Sequence, residues 1–318
     1  MNKRFAFIDM GTNTFHLLIV ELYERAHKPS FKILYKEKVG VKIGAEGGIN
    51  AGYISEAAIQ RALQTLQHFA QIIAQWQVSE ENVMALGTSA VRNAKNQAVF
   101  IEKIKQETGI LVTVISGDTE AAMIYEGVRL AVPLDQQPSL LIDIGGGSVE
   151  FILGNEKEMF WRRSFEIGGQ RLMDLFMTSD PISAENVADL RAYLSKILEP
   201  LSQAVAIYKP TQLVGVSGSF DTLAEIYQHR QQDILESYDV ENEPFYELPK
   251  VFVLNILQEI IKLNHSERLA MRGMIPLRAD MIVVAAVLIN YILQTTDYQK
   301  IIVSTYSLKE GLLSKYLS

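Results

Sequence analysis

The sequence predicts an α/β protein made of two related halves with a cleft between them. The chain has 318 residues, about twice the length of a common domain. One pattern, an apolar strand, an aspartate, a turn of small residues and a second apolar strand, occurs twice, around Asp9 and around Asp143. Each copy is followed by alternating helix and strand patterns, as in a layered α/β fold.

The two copies correspond residue by residue. Ile8-Asp9-x-Gly11-x-x-Thr14 aligns with Ile142-Asp143-x-Gly145-x-x-Ser148, and the separation of the copies is close to the size of one domain. Ligands of open α/β sheets bind in crevices outside the strand ends. We therefore expect both turns to face the cleft.

Local patterns place the elements of the first half. The strands are expected near 5–10, 14–20, 31–41, 83–86 and 111–115, and 44–52 reads as a glycine-rich loop. Helices are expected after Ser55, from 96 to 108 with Gly109 ending it, and from 116 to about 130. Ser55 and Ser116 are the expected N-caps.

The second half repeats this order. Strands are expected at 139–145, 149–155, 158–166, 212–216 and 300–303. Helices are expected at 169–176, 183–208, after Ser219, at 251–263, at 278–293 and from Leu308. Residues 231–249 are polar and poorly periodic, which predicts a loop or an insertion.

Composition excludes several classes of protein. A hydrophobic fraction of 48% with 21% charged residues is that of a globular chain. The net charge of −7 argues against a broad nucleic-acid surface, because such binding uses many lysine and arginine contacts. No apolar run approaches the roughly 18 residues of a membrane span, and Asp9 interrupts the first apolar stretch where a secretory signal would be unbroken. We expect a cytoplasmic protein.

The absence of cysteine restricts the metal chemistry. Without cysteine there are no disulfides, thiolate metal sites or cysteine nucleophile, so oxygen and histidine remain as ligands. Consecutive glycines at Gly145, Gly146 and Gly147 let backbone amides line an anion site. Asp143 and Glu150 flank that turn and suit Mg²⁺ beside a phosphate.

Five motifs in order resemble one family. They are Ile8-Asp9-x-Gly11-Thr12-Asn13-Thr14, Gly87-Thr88-Ser89-Ala90-Val91-Arg92-Asn93-Ala94, Ile115-Ser116-Gly117-Asp118-Thr119-Glu120-Ala121, Ile142-Asp143-Ile144-Gly145-Gly146-Gly147-Ser148-x-Glu150, and Arg278-Ala279-Asp280 with Glu310-Gly311-Leu312. The chain resembles, almost end to end, the exopolyphosphatase and guanosine pentaphosphate phosphohydrolase family. That family lies within the wider superfamily of sugar kinases, actin and heat-shock chaperone ATPases.

The resemblance implies two ribonuclease-H-like, actin-like ATPase domains with an interdomain cleft. The implied ranges are 1–124 for the first domain and 125–307 for the second, with the C-terminal helix 308–318 packing back on the first. Longer relatives carry extra helical domains, for which this chain has no room. We therefore expect a preference for shorter substrate chains or a lower processivity.

The resemblance also implies site residues. Glu120 is the implied general base that activates water, and Asp143 and Glu150 are the implied Mg²⁺ ligands, with Asp9 as a further candidate. The implied phosphate-binding residues are Gly11, Thr12, Asn13, Thr14, Thr88, Ser89, Arg92, Gly145, Gly146, Gly147 and Ser148. Thr12 and Thr14 stand where relatives often have serine, and Thr119 stands where they often have an acid.

Structural alternatives remain open at several of these positions. Glu120 or Asp118 could each be a first-turn acid favoured by the helix dipole. Thr88-Ser89 could be a helix cap beside a surface arginine, and residues 215–219 could either contact a nucleotide or form a turn with Ser219 as N-cap. A structural role is favoured for Arg278 with Asp280, and His16 is secondary.

The implied activity is removal of the terminal phosphate of inorganic polyphosphate by a magnesium-dependent hydrolase. Guanosine pentaphosphate is the alternative substrate. A nucleotide-binding switch, a kinase on the same fold and a noncatalytic sensor are the rival classes. We expect no nucleic-acid or membrane partner, and the sequence leaves the oligomeric state open, a homodimer included.

Overall fold

The structure is a computed structural model that describes residues 3–25, 28–45, 48–232 and 243–317. Within these ranges the chain forms two mixed β-sheets with helices packed against them. No helix of the described ranges is long and apolar enough to cross a membrane.

The first sheet has five strands in the order β3-β2-β1-β4-β5. The strands are β1 (Lys3–Met10), β2 (Thr14–Arg25), β3 (Lys28–Gly40), β4 (Val83–Gly87) and β5 (Val112–Val114). The helices of this half are α1 (Gly48–Ala51), α2 (Glu56–Gln75), α3 (Ser89–Arg92), α4 (Gln97–Thr108) and α5 (Gly117–Ala131). The apolar residues of α2 and α4, such as Leu63, Phe69 and Phe100, pack on one face of this sheet.

The second sheet has six strands in the order β10-β11-β9-β6-β7-β8. Its strands are β6 (Ser139–Ile144), β7 (Val149–Gly154), β8 (Met159–Phe165), β9 (Gln212–Val216), β10 (Phe245–Glu247) and β11 (Lys300–Ser304). The order β8-β7-β6-β9-β11 repeats β3-β2-β1-β4-β5, with the same antiparallel and parallel pairings. The duplicated α/β architecture is confirmed, and β10 is an added edge strand.

Helices cover the second sheet as well. They are α6 (Gly169–Phe176), α7 (Ala184–Ile197), α8 (Glu199–Tyr208), α9 (Ser217–Gln232), α10 (Lys250–Lys262), α11 (His265–Ala270), α12 (Ile282–Ile292) and α13 (Leu308–Ser314). Every residue of α12 except Tyr291 is buried, which its almost wholly apolar sequence predicts for a central helix.

Helix α13 packs against α5 at a pair of glycines. A Cβ atom on Gly127 would overlap the carbonyl of Ser307, and one on Gly311 would overlap the carbonyl of Met123. The two backbones therefore approach as closely as glycine allows. Helix α5 runs without interruption through residue 124, so the division into 1–124 and 125–307 stays a prediction.

Most element positions agree with the sequence patterns, and the N-caps Ser55 and Ser116 each accept the expected amide, from Ala58 and from Thr119. The helix expected at 183–208 is two helices that meet at Leu198, because Pro200 lacks the N–H that a continuous helix requires. The short helix α1 lies in the expected 44–52 loop.

Two further boundaries differ from expectation. The helix expected at 278–293 begins at Ile282, after a 3₁₀ turn at Pro276–Arg278 that holds Arg278 outside it. Helix α9 begins at Ser217, so Ser219 is a buried residue inside the helix and not its N-cap. The expected 231–249 loop contains β10, and its residues 233–242 lie outside the described ranges.

Candidate active site

The two glycine turns meet at one cavity of about 110 Å³. All but one of the sequence-predicted site residues line it: Asp9, Gly11, Thr12, Asn13, Thr14, Thr88, Ser89, Glu120, Asp143, Gly145, Gly146, Gly147, Ser148 and Glu150. The exception, Arg92, reaches the cavity wall through a hydrogen bond to Glu120. The fold thus assembles in one place residues that are up to 141 positions apart in sequence, from Asp9 to Glu150.

The two turns have the same internal geometry. The Gly11 amide donates to the Thr14 carbonyl over 3.1 Å, and the Gly145 amide donates to the Ser148 carbonyl over 3.0 Å. In the strand register, Asp9 lies opposite His16 and Asp143 lies opposite Glu150. The position that carries Glu150 in one half therefore carries His16 in the other, which makes the two halves chemically unequal.

The triple-glycine turn is anchored from behind. Its carbonyl groups accept amide hydrogen bonds of 2.9–3.1 Å from the start of α6: Gly145 from Gly169, Gly146 from Gln170 and Gly147 from Gly168. In a trans peptide the N–H points away from the C=O. The amides that follow these three carbonyls therefore point to the opposite side, toward the cleft, where they can bind an anion.

The first turn is anchored in the same way. The Thr12 carbonyl accepts from the Gly44 amide over 3.1 Å, and the Asn13 carbonyl accepts from Val41 and Lys42 over 2.9 Å each. The amides of Asn13 and Thr14 accordingly face away from this support. Both turns are pre-organised by the segment that follows the third strand of their own sheet.

The turns also interlock across the cleft. A Cβ atom on Gly146 would overlap the Asn13 side chain, and one on Gly147 would lie 2.5 Å from Ser89 Oγ and 2.6 Å from Thr12 Oγ1. A side chain at either position would therefore have to displace side chains of the first half. The Asn13 Oδ1 atom is buried and has no hydrogen-bond partner among the described residues.

Five carboxylates line the cavity, those of Asp9, Glu120, Asp143, Glu150 and Asp221. Burial, with a smaller effect from Asp143, raises the pKa of Glu150 to about 8, and burial raises the pKa of Asp9 to about 7, against the opposing effect of Lys309. Burial also raises the pKa of Asp143, although hydrogen bonds from Ser217 and Ser307 oppose this. Repulsion between buried carboxylates indicates a place where a cation would be stabilised.

These acids fit a magnesium ion held jointly with a phosphate. The described residues contain no group of three or more histidine, aspartate or glutamate side chains placed to hold a metal alone. Mg²⁺ is commonly held by one or two carboxylates together with water and phosphate oxygens. Asp143 and Glu150 can supply those carboxylates, and Asp9 lies close enough for its charge to act on the pKa of Glu120.

Glu120 is buried at the first turn of α5, with 7% of its surface exposed. Arg92 Nη1 donates to Glu120 Oε2 over 2.8 Å and to the Ile115 carbonyl over 3.1 Å. Burial and then Glu150 raise the pKa of Glu120 well above its ordinary value, while Arg92 lowers it. Asp118, which sequence could not separate from Glu120, is exposed.

The Thr88-Ser89 pair does not act as a side-chain cap. Thr88 Oγ1 donates to the Met10 carbonyl over 3.3 Å, and Ser89 Oγ donates to Glu166 Oε2 over 2.7 Å. Arg92 is not a surface arginine, because its side chain is 18% exposed and bonded to two carboxylates. Glu166, which is not in the cavity lining but bonds to Ser89 and Arg92, is a residue that sequence reasoning missed.

A basic wall faces the carboxylates. Lys38, Arg278 and Lys309 line the same cavity, and Lys309 Nζ lies 3.2 Å from Glu310 Oε1. Arg278 is 7% exposed, and within the part of the chain that the structure describes its Nε atom has no hydrogen-bond partner. Sequence reasoning missed Lys38 and Lys309; the strand register, which sets Lys38 opposite His16, is the signal that could have found the first.

His16 lies against this basic wall and is neutral. Burial, followed by the charges of Lys309, Lys38 and Arg278, lowers the pKa of His16 well below its ordinary value. Its Nε2 atom lies 3.1 Å from Thr14 Oγ1. His16 is thus a hydrogen-bonded histidine that also lines the cavity.

Internal contacts account for Gly215 and Gly218, while Ser217 and Gly218 also line the cavity. A Cβ atom on Gly215 would overlap the Phe220 ring, and one on Gly218 would overlap the Arg278 guanidinium. The expected structural role of Asp280 is observed, since it lies 2.8 Å from His265 Nδ1. Arg278, for which the sequence favours a structural role, lies in the cavity wall.

Comparison with known proteins gives consistent relatives. A bifunctional 3-dehydroquinate synthase/phosphatase of Fusobacterium nucleatum is 32% identical over 305 residues, covering 94% of this chain and 44% of that protein. The chain therefore spans less than half of that relative. Exopolyphosphatase 2 of Mycobacterium tuberculosis is 27% identical over 319 residues, covering 97% of each chain.

Solved structures and a family model agree with these relatives. A crystal structure of an exopolyphosphatase from Cytophaga hutchinsonii is 46% identical with a TM-score of 0.91, covering 99% of this chain and 98% of that one. The Aquifex aeolicus member of the Ppx/GppA family is 25% identical with a TM-score of 0.79, covering 99% and 97%. The model of the Ppx/GppA phosphatase family matches residues 20–318. The chain belongs to the Ppx/GppA phosphatase family and is, by that membership, a phosphoanhydride hydrolase.

Proposed function

We propose that this protein is an exopolyphosphatase that removes the terminal phosphate of inorganic polyphosphate. The observation that carries the proposal is the position of the buried Glu120 carboxylate in a cavity formed by two turns whose amides face inward. The names of the M. tuberculosis and C. hutchinsonii relatives support polyphosphate as the substrate.

In this proposal the two turns hold the terminal phosphate. The inward amides and the hydroxyls of Thr12, Thr14 and Ser148 donate to its oxygens, and the closeness of the turns sets its orientation. Thr88, Ser89 and Arg92 add donors from the first half. Since the donors come from both halves, substrate would favour closure of the cleft.

Water then attacks the terminal phosphorus. A new P–O bond forms to the water oxygen, the bridging P–O bond breaks, and the bridging oxygen leaves on the shortened chain. Glu120 accepts the proton that water loses, and Arg92 holds that carboxylate in place. Mg²⁺ held by Asp143 and Glu150, with Asp9 as a further ligand, would supply charge neutralisation for the phosphates.

Release of orthophosphate from polyphosphate in the presence of Mg²⁺ tests the proposal. The expected result is a steady release that stops when a chelator removes the cation. A kinase would instead need an acceptor, and a sensor would bind polyphosphate without turnover. Binding without release by the wild-type protein would reject the proposed activity.

Guanosine pentaphosphate presents the same terminal phosphoanhydride to the same groups, so it is the alternative substrate. Comparison of kcat/KM on polyphosphate and on guanosine pentaphosphate decides between them.

Product lengths during digestion of a defined long polymer test the expected preference for shorter chains, since a non-processive enzyme leaves intermediates. Loss of long chains without intermediates would contradict that expectation.

A further inference from the structure

Glu166 makes contacts in the cleft that resemble those of a bound phosphate. Its Oε2 atom accepts from Ser89 Oγ over 2.7 Å and from Arg171 Nη2 over 3.2 Å, while Oε1 accepts from Arg92 Nη2 over 3.2 Å. The two guanidinium groups and the hydroxyl that donate to this carboxylate are the kinds of donor that an anionic phosphate group prefers.

This position adjoins the second phosphate turn. Ser89 Oγ, the partner of Glu166, lies close enough to Gly147 that a Cβ atom there would be 2.5 Å away. Arg171 Nε donates to the Gly147 carbonyl over 2.9 Å. The carboxylate of Glu166 therefore lies beside the turn whose amides face the cleft.

The bonds of Glu166 connect the two halves of the molecule. Ser89 and Arg92 belong to the first half, and Glu166 follows β8 in the second. Arg92 is thereby shared between Glu120 and Glu166. Burial raises the pKa of Glu166, but hydrogen bonds from Ser89 and Asn93 and the charge of Arg92 together hold this pKa below its ordinary value.

Glu166 differs from the other acids of the cleft in its exposure. Its side chain is 41% exposed, whereas that of Glu120 is 10% exposed. Rotation of the Glu166 side chain into solvent would hydrate the carboxylate further, and the ion pairs that it loses are weak because this partner is partly exposed. A phosphate arriving at Ser89 and Arg92 would also repel the neighbouring carboxylate.

We propose that Glu166 is a phosphate-mimicking carboxylate that holds Ser89 and Arg92 in the phosphate-free protein and is displaced by phosphate. The proposal rests on the proposed function, in which Ser89 and Arg92 bind the substrate. Glu166 then competes with every phosphate ligand of the cleft and lowers the apparent affinity for each by the same factor. Once phosphate has displaced Glu166, the catalytic step does not depend on Glu166.

The Glu166→Gln variant tests this competition. The amide keeps the size of the side chain and loses its charge, so Ser89 and Arg92 are released more easily. We expect the KM for polyphosphate and the inhibition constant of orthophosphate each to fall about twofold to fivefold, with kcat unchanged. Direct calorimetric binding of inorganic phosphate should tighten by the same factor.

Two further variants separate competition from other effects of charge. Glu185→Gln makes the same change in net charge at an exposed position on α7 and should behave as wild type. Glu166→Asp keeps the local charge on a shorter side chain that reaches its partners less well, and should show part of the gain in affinity. Glu166→Asp behaving as wild type would mean that only the charge matters, which contradicts mimicry.

The outcomes distinguish this proposal from the proposed function. A wild-type enzyme that hydrolyses polyphosphate, with unchanged or weaker phosphate binding in Glu166→Gln, would overturn the role of Glu166 alone. A fall in kcat at constant KM would identify Glu166 as a positioning residue for Arg92 and also overturn it. A wild-type protein that binds phosphate without hydrolysis would reject the proposed function, and the phosphate-binding comparison would still test Glu166.

Discussion

Glu120 owes its chemical character to its neighbours more than to its place in the helix. Burial and Glu150 raise its pKa, and a raised pKa makes a carboxylate a stronger base once it is ionised. Arg92 favours the ionised form and fixes the direction of the carboxylate. A cation that neutralises Glu150 would remove part of the repulsion and would leave Glu120 ionised at a lower pH.

Replacement of Glu120 by glutamine tests its role at the residue scale. The amide keeps the shape and the contact with Arg92 but accepts no proton, so kcat should fall about 10²-fold to 10⁴-fold. Orthophosphate release under saturating polyphosphate measures this. Asp118→Asn, an exposed change in the same helix turn, should leave kcat unchanged. Full activity of Glu120→Gln would exclude Glu120 as the base.

Helix α6 acts on the site through its first amides. These amides do not contact the substrate. They donate to the three glycine carbonyls on the side away from the cleft and so fix the direction of the cleft-facing amides. The phosphate turn therefore depends on an element that contributes no side chain to its inner surface. Arg171 of α6 adds a second support through the Gly147 carbonyl.

Two adjacent glycines give a matched test of this support. A Cβ atom on Gly168 would overlap the backbone of Gly146 and Gly147, whereas one on Gly169 would lie 3.4 Å from Met281, an ordinary contact. We expect Gly168→Ala to displace the turn and lower kcat/KM at least about tenfold, because misplaced donors bind the transition state poorly. Gly169→Ala should remain near wild type.

Thermal unfolding is the control for this pair of variants. Gly168 has φ near −62°, which alanine adopts without strain, so any loss must come from the contact with the turn. Both variants should unfold cooperatively. Equal activities of Gly168→Ala and Gly169→Ala would show that the α6 contact does not set the geometry of the turn.

At the scale of the whole molecule, the contact between the two halves brings buried carboxylates together. The carboxylates of Asp143 and Glu150 meet Asp9 from the other half, and their pKa values lie above their ordinary values of 3.8 and 4.5. The folded state therefore binds more protons than the unfolded state at intermediate pH. This excess makes folding stability depend on pH and on cations.

The expected consequence is a stability that falls with rising pH in metal-free protein. A carboxyl group whose pKa is higher in the folded than in the unfolded state stabilises the fold fully at pH values below its unfolded-state pKa. This stabilisation is lost as pH rises through the folded-state pKa, which is about 7 for Asp9 and about 8 for Glu150. Chemical denaturation at pH 5 to 8.5 with a chelator present measures this. Asp143→Asn should flatten the dependence.

Magnesium should reverse this loss. Binding to ionised carboxylates releases protons, so the rise in Tm on adding Mg²⁺ should be larger at pH 8 than at pH 5.5. The same titration on Glu150→Gln should show a smaller rise at pH 8. A rise that is independent of pH and of Glu150 would contradict the assignment of these acids to the cation.

Sequence determined much of this protein because its informative patterns are local. The spacing of apolar residues predicts the strands of both sheets, and the glycines of the repeated turn predict two phosphate-binding turns. Glu120 is selected by the residue-by-residue resemblance. These features need only neighbours within a few positions, such as the strand pair that brings Asp143 opposite Glu150.

The tertiary structure alone decided which side chains share the cleft. Asp118 and Glu120 differ by two positions, yet only the packing of α5 between the sheets buries one and exposes the other. Glu166 reaches Ser89 across 77 residues of sequence, and Arg278 and Lys309 join Lys38 from the far end of the chain. Such contacts depend on how the two sheets pack against each other, and no local sequence period specifies that packing.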